Sequence, residues 1–299
     1  MSRGCFLPDE LIVDAGATSS KWLPGRNAAL ITAPPINAAT MPLQTITEAV
    51  EKARKEISGL YPEFNPRIIS YYGAGAVGKP AETLRNLLVT FWPNAETIRV
   101  ESDMVLAARA MLGNRRGIAA ILGTGSNSCL WSGSEIENRI PSLGYILGDE
   151  GSGAVIGRNL IADMLKRRFE PAITFDFLEY FYNSKPRDLQ SGLEALEADA
   201  INMVYRQPGA NSRLAALTRF VADHITHPQI EAMVTREFER FFDRNISGYP
   251  EAERLPLCIS GGVAATFSDL LTRIADSRHL NVLMITADPL SYRLSQSTI

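Results

Sequence analysis

Short apolar runs alternate with amphipathic stretches along this chain, and small-residue turns punctuate the boundaries. Residues 10–13 form an apolar run that passes at once into Asp14-Ala15-Gly16-Ala17-Thr18, the pattern of a strand entering a tight turn. Residues 21–23 and 28–31 read as the second and third strands of a meander. Ile46, Ala49, Val50, Ala53, Ile57 and Leu60 recur at helical spacing over residues 45–60, with Thr47 standing where a cap would. Residues 67–72 predict a strand ending in Gly73 and Gly75. Residues 80–91 predict a helix with proline at its start, residues 97–100 a strand, and residues 104–112 a helix opened by Asp103.

The pattern then restarts. Residues 117–122 predict a strand, Gly123-Thr124-Gly125-Ser126-Asn127 a turn, and residues 128–131 a returning strand. Strand, small polar turn and strand thus occur twice, which points to a duplicated architecture. Helical spacing follows over 151–168, 192–205, 213–224 and 228–245. A strand at 255–259 runs into Ser260-Gly261-Gly262-Val263-Ala264, then a helix at 266–275 and a strand at 281–286. With 299 residues and no low-complexity linker, the expectation is two directly joined α/β domains, each a mixed sheet flanked by helices. The first would span residues 1–102, with 287–299 a candidate to fold back onto it, and the second 103–286.

Composition narrows the partners. Apolar residues make up 45% and charged residues 21%, and a net charge of -3 leaves no basic excess for a nucleic-acid backbone. No apolar stretch reaches the length of a membrane span. Cys5, Cys129 and Cys258 are odd in number and far apart, which fits a reducing compartment rather than a disulfide scaffold. The first ten residues lack the apolar run of a signal peptide, so the cytoplasm is the expected location.

The candidate chemistry lies in three turns of one kind, at 14–18, 123–127 and 260–264. Each follows an apolar strand and combines glycine with Ser, Thr or Asp. Glycine lets backbone N–H groups approach phosphate oxygens, and hydroxyls add donors. One such turn is common; three in this order carry more weight. Asp14 beside a phosphate loop would repel phosphate unless a cation lay between, so Asp14 is a candidate for holding Mg²⁺, directly or through water. The plain alternative is a turn-capping Asp. Asp103 stands between a strand end and a helix start, where it serves either as an N-cap or as the base that phosphoryl transfer to a hydroxyl needs. Asp149 and Glu150 form an acidic pair in a glycine-rich loop. Asp149 suits sugar hydroxyls, the alternative being a solvated loop that caps the next helix, and Glu150 carries no assignment.

Other motifs carry less. Gly73-Ala74-Gly75-Ala76-Val77-Gly78-Lys79 imitates a phosphate-binding P-loop, but Pro80 stands where Ser or Thr should meet Mg²⁺, so it reads as a strand-to-helix turn near an interdomain cleft. His224 and His227 read as a surface pair without a completing metal set. Met203, Tyr205, Phe241 and Phe242 read as core or interface.

Together, Asp14-Ala15-Gly16-Ala17-Thr18, Gly123-Thr124-Gly125-Ser126-Asn127, Gly148-Asp149-Glu150-Gly151-Ser152-Gly153 and Ser260-Gly261-Gly262-Val263-Ala264 resemble the N-acetylglucosamine kinase and BadF/BadG-type ATPase family. That family belongs to the sugar kinase, heat-shock protein 70 and actin superfamily. The resemblance runs over nearly the whole chain and is most specific over residues 143–153. It implies an α/β fold of two actin-like (ribonuclease H-like) domains with an ATP cleft between them. It implies an ATP-dependent kinase acting with Mg²⁺ on a hydroxyl, the 6-hydroxyl, of an amino sugar such as N-acetylglucosamine, in a homodimer without nucleic-acid or membrane partners.

Carried onto this chain, the resemblance makes Asp103 the catalytic base. It places phosphates at Gly16, Thr18, Ser19, Lys21, Gly123, Thr124, Gly125 and Ser126, and adenosine at Gly261, Gly262 and Ala264. The sugar falls to Asn37, Asp103, Thr124, Asp149 and the backbone at Leu143 and Gly144. The first turn departs from the family pattern: glycine usually follows the Asp and recurs further on, and Ala15 and Ala17 stand there. Alanine keeps the loop small but reaches positive φ less readily. Two other functions use the same fold. A non-catalytic sugar sensor usually lacks the base or the phosphate loops. An ATPase activator of a CoA-ester dehydratase or reductase needs cysteines at cluster spacing, which Cys129 and Cys258 do not offer.

Overall fold

The computed structural model describes residues 9–16, 18–25 and 28–291. The chain divides into two units: the first takes the described residues up to Gly113 and from Pro289 on, the second Asn114–Asp288.

The first unit runs β1 (Glu10–Ala15), β2 (Ser20–Pro24), β3 (Ile31–Ala33), α1 (Leu43–Leu60), β4 (Ile68–Gly73), α2 (Lys79–Phe91), β5 (Thr97–Ser102) and α3 (Asp103–Leu112). Its sheet has the order β3-β2-β1-β4-β5, with β1 antiparallel to β2 and parallel to β4. Strand β1 holds the centre because it is apolar on both faces. Leu11, Val13 and Ala15 meet Ile46, Val50 and Ile57 of α1 and Leu84 and Leu88 of α2 on one side. Ile12 joins Leu23, Leu106 of α3 and Leu290 on the other. Burying each of these large side chains stabilises the unit by roughly 1.5–3 kcal/mol. The contact of Leu106 explains why α3 remains in the first unit, so that the division falls at Gly113 and not at residue 102. Leu290 brings the chain after Pro289 back to the same unit.

The second unit runs β6 (Gly117–Leu122), β7 (Ser126–Trp131), β8 (Ile136–Ile140), α4 (Gly144–Leu147), α5 (Gly153–Leu165), α6 (Pro171–Tyr182), α7 (Leu189–Ile201), α8 (Ala210–Ala216), α9 (Thr218–Asp223), α10 (Pro228–Phe241), β9 (Pro256–Ser260), α11 (Gly262–Thr266), α12 (Ser268–Ser277) and β10 (Asn281–Thr286). Its sheet order is β10-β9-β6-β7-β8. Counted within each unit, both sheets read third, second, first, fourth, fifth strand, and both pair the first strand antiparallel to the second and parallel to the fourth. The duplication read from two strand–turn–strand patterns is therefore a duplication of whole sheets, and the α/β class with two actin-like units holds. Ile118, Ala120 and Leu122 of β6 lie in one core with Leu160, Phe177, Phe220, Phe238 and Leu271.

Several sequence expectations shift. Thr47 does not cap α1; the helix starts at Leu43, and the Thr47 hydroxyl donates to the Leu43 carbonyl at 2.8 Å from inside it. The helix expected over 228–245 stops at Phe241 and continues as a π-helical turn, Phe242–Ile246. The one expected over 192–205 likewise ends in a π-turn, Asn202–Arg206. The helix expected over 266–275 forms as α12, and the short helix α11 precedes it, starting within the expected 260–264 turn. Strand β8 and helices α4 and α6 were not expected: β8 is mostly polar and exposed, and α4 has a single turn. Phe241 and Phe242 are core residues, whereas Tyr205 is 81% exposed. His224 and His227 are half-buried rather than a surface pair, and His224 stacks on Phe220 with ring centroids 4.0 Å apart. Among the described residues, no helix is long and apolar enough to cross a membrane.

Candidate active site

In the first unit the predicted residues gather at the C-terminal ends of β1, β4 and β5. Ala15, Gly73 and Ser102 are register neighbours there, and Asp103 follows directly. Asp14 pairs across the hairpin with Lys21, so the two side chains share one face of the sheet. The Gly16 amide donates to the Ser19 carbonyl at 2.9 Å and closes the turn. Thr18 is exposed and Ser19 half-buried, while Ala17 lies outside the described residues. The Gly16 carbonyl accepts from Ile36 at 3.3 Å, and the Ala38 amide donates to the Ala74 carbonyl at 3.1 Å. These bonds tie the first turn, the Asn37 segment and the 73–79 turn together. The Asn37 side-chain oxygen accepts from the Ala39 amide at 3.0 Å, and a Cβ on Gly75 would come within 2.8 Å of that oxygen. Gly75 has φ +73°, so glycine there serves a close, left-handed turn, and Pro80 sits in the first turn of α2.

Asp103 is the first residue of α3. Its Oδ1 accepts from the Met104 amide at 2.9 Å, so the carboxylate does fold onto its own helix start. Burial nevertheless pushes its pKa up, against the pull of that N–H. A carboxyl raised by desolvation accepts a proton more readily than an exposed one, which suits a base. The N-cap of α3 is Ser102, so Asp103 does not take the capping position that the sequence also allowed. Nearby, Tyr71 is buried and its hydroxyl has no hydrogen-bond partner among the described residues. Its pKa is raised by burial first, then by Asp14 and Asp103, which places both carboxylates within electrostatic reach of one ring.

In the second unit three glycine-rich segments converge at the C-terminal ends of β6 and β9. The Gly123 carbonyl accepts from the Gly153 amide at 2.8 Å, and the Thr124 carbonyl from Ala154 at 3.1 Å. Gly261 has φ +118°, and a Cβ there would overlap the Leu122 carbonyl. The 123–126 loop is thus held between the start of α5 and the 260–262 turn. Ser152 caps α5 by accepting from the Val155 amide at 3.3 Å. Ser126 is buried, and its hydroxyl has no partner among the described residues, a donor left over inside a loop of small residues. Gly262 has open space around it, whereas Ala264 is fully buried as a core residue.

Asp149 leans over this loop. A Cβ on Gly125 would meet its Oδ2 at 2.9 Å. Burial raises the Asp149 pKa to about 6, the Ser126 amide opposes the rise by hydrogen bonding, and the neighbouring Glu150 adds to it. Asp149 itself has φ +54°, and its amide donates to the Ser142 carbonyl at 2.9 Å. Leu143 (φ +62°) and Gly144 (φ +73°) turn the chain within the same segment, and the Leu143 side chain is exposed. Glu150 has a clear place: it is buried, with Oε1 3.1 Å from Arg244 and Oε2 3.2 Å from the Asn245 amide group. Arg244 and Asn245 escaped the sequence analysis because they sit in what read as the tail of an ordinary amphipathic helix.

No group of three His, Cys, Asp or Glu residues assembles into a metal cage among the described residues. Mg²⁺ does not need one; it is commonly held through one or two carboxylates together with substrate phosphates, and Asp14 beside its turn fits that smaller requirement. Cys129 and Cys258 are buried in strands, and burial pushes the Cys258 thiol up to about 11, while Cys5 lies outside the described residues.

No family model matches the chain. A curated relative, the N-acetylmuramic acid/N-acetylglucosamine kinase of Clostridium acetobutylicum, is 28% identical over 194 residues, covering 62% of this chain and 60% of the relative. The matched region therefore spans less than two thirds of that relative's length. Among solved structures, a Porphyromonas gingivalis protein provisionally named N-acetylglucosamine kinase superposes with a TM-score of 0.83 at 32% identity, over 95% of this chain and 97% of that one. A Chromobacterium violaceum protein with the same provisional name gives 0.68 at 18% identity, over 97% and 99%. A ROK family glucokinase from Streptomyces griseus, solved with glucose and AMPPNP, gives 0.52 at 13% identity, over 96% and 97%. The last two speak for the fold alone. With 32% identity across nearly all of both chains, and with the 148–153 loop placed over the 123–126 loop, this chain belongs to the N-acetylglucosamine kinase family of actin-like sugar kinases.

Proposed function

We propose that this protein transfers the γ-phosphoryl group of ATP to the 6-hydroxyl of an amino sugar such as N-acetylglucosamine. The observation that supports this most is the convergence of the 123–126, 148–153 and 260–262 segments, with a buried, unpartnered Ser126 hydroxyl inside it. A phosphate oxygen supplies the acceptor that this hydroxyl lacks. Gly16, Thr18, Ser19 and Lys21 form the other phosphate loop. Gly261 and Gly262 receive adenosine, with Ala264 shaping that turn from the core. Asn37, Thr124, Asp149 and the backbone at Leu143 and Gly144 orient the sugar.

Phosphoryl transfer asks the protein mainly for position and charge. Asp103 accepts the proton of the sugar hydroxyl as its oxygen attacks the γ-phosphorus in line. Asp14, directly or through water, would hold Mg²⁺, which neutralises developing phosphate charge when bound. Lys21 and the loop amides add fixed positive charge at the same place. The protein works in the cytoplasm as a homodimer.

The test is a coupled ADP-release assay with N-acetylglucosamine, N-acetylmuramic acid and glucosamine, followed by ³¹P–¹H coupling analysis of the product. Sugar-dependent ADP release with phosphate on the 6-oxygen is expected. Sugar binding without any ADP release would instead identify a sensor on the same fold.

A further inference from the structure

The segment that carries Leu143, Gly144 and Asp149 is pinned at both ends by one buried polar network. At its far end, Glu150 is 6% exposed and both of its carboxylate oxygens are engaged, by Arg244 and by Asn245. Asn245 is 2% exposed, and its carbonyl accepts from the Ser128 hydroxyl at 2.7 Å. The Ser128 oxygen lies 2.8 Å from the Tyr249 hydroxyl, which accepts from the Ile140 amide at 2.9 Å. Ile140 ends β8, immediately before the segment begins. The network therefore runs Glu150, Asn245, Ser128, Tyr249, Ile140 and closes around residues 141–149. Three residues inside this span have positive φ, two of them non-glycine. Such backbone persists only where its surroundings hold it.

The π-helical turn Phe242–Ile246 makes the network reachable. Its wider bond, Ser247 amide to Phe242 carbonyl at 2.9 Å, departs from α-helical spacing just where Arg244 and Asn245 turn toward Glu150. Single π-turns of this kind are frequent at functional sites. Glu150 has both oxygens engaged by protein side chains, those of Arg244 and Asn245, although it is adjacent to Asp149.

We infer that Glu150, Asn245 and Tyr249 are positioning residues: they clamp the 141–149 segment so that Asp149 and the Leu143–Gly144 backbone meet the amino sugar in one geometry. The inference rests on the reading of Asp149 as a sugar ligand.

The experiment compares Glu150→Gln, Glu150→Ala and Tyr249→Phe, with Asp149→Ala as reference, in full-length protein with N-acetylglucosamine and ATP. The sugar KM should rise at least about fivefold in Tyr249→Phe and Glu150→Ala, with kcat and the ATP KM within about twofold of wild type. Glu150→Gln, which keeps an acceptor for Asn245, should recover most of the loss. In the Asp149→Ala background Tyr249→Phe should raise the sugar KM by less than it does in wild type, because the two residues act through one segment and coupled residues are non-additive. Amide exchange over 141–149 in ligand-free protein should accelerate in both clamp variants. An unchanged sugar KM, or equal losses in every kinetic constant, overturns the clamp. If Glu150→Ala does not fold, Tyr249→Phe decides. If Asp149→Ala leaves the sugar KM unchanged, the sugar reading fails instead, and unaltered exchange over 141–149 would still sink the clamp independently.

Discussion

The carboxylate of Asp149 occupies the space that a side chain on residue 125 would need: a Cβ on Gly125 would lie 2.9 Å from Asp149 Oδ2. Glycine at 125 is therefore a steric condition for the position of Asp149. Gly125→Ala should push the carboxyl off the loop and weaken N-acetylglucosamine binding by about tenfold or more, equivalent to ~1.4 kcal/mol. Isothermal titration calorimetry on the variant checks this, alongside a melting curve that should stay close to wild type.

The same carboxyl sets a pH dependence of known sign. Its pKa is raised from 3.8 to about 6, chiefly by burial. The folded state thus favours the protonated form, and that contribution is complete below the ordinary pKa and lost as pH rises through about 6. Asp149→Asn, which still offers an acceptor to the Ser126 amide, should be more stable than wild type at pH 7.5 by on the order of 2 kcal/mol, and the difference should close near pH 4. Sugar affinity should move the other way in wild type, weakening as pH falls through 6 and the acceptor charge is lost. Thermal melts and titrations across pH 4–8 measure both.

The 260–262 turn separates backbone need from ligand contact. Gly261→Ala places a methyl into the Leu122 backbone carbonyl at φ +118° and should cost about 3 kcal/mol or more, seen as a clear drop in melting temperature. Gly262→Ala enters open space and should leave the fold intact while weakening ATP binding alone.

Much of this was legible in the sequence because local patterns carry it. The turns at 14–18, 123–127 and 260–264 follow apolar strands, and the strand–turn–strand pattern recurs in both units; the order of the strands in each sheet came from the structure alone. Asp149 showed itself through the glycines around it. The network behind it did not. Ser128, Asn245 and Tyr249 meet across more than a hundred residues of chain, and nothing in the periodicity of α10 marks where it widens into a π-turn. Glu150 was unassignable for the same reason: its partners lie 94 and 95 residues away. Short or exposed elements such as α4 and β8 lacked the apolar spacing that makes a pattern readable.

Tyr71 offers a test of the first unit. Its buried hydroxyl has no partner among the described residues, and a buried unmet donor costs about 1–3 kcal/mol. Tyr71→Phe should raise the urea midpoint. A lowered midpoint would show that the hydroxyl has a bound water or ligand in solution.

In the proposed mechanism Asp103 removes the proton from an amino-sugar hydroxyl as phosphate arrives from ATP. The direct measurement is sugar-dependent ADP release with N-acetylglucosamine by wild type and Asp103→Asn, with ATP binding followed in parallel. Wild type should form one ADP per phosphorylated sugar, and Asp103→Asn should lose at least about 100-fold in kcat while binding ATP normally. An Asp103→Asn enzyme turning over at the wild-type rate would contradict the mechanism.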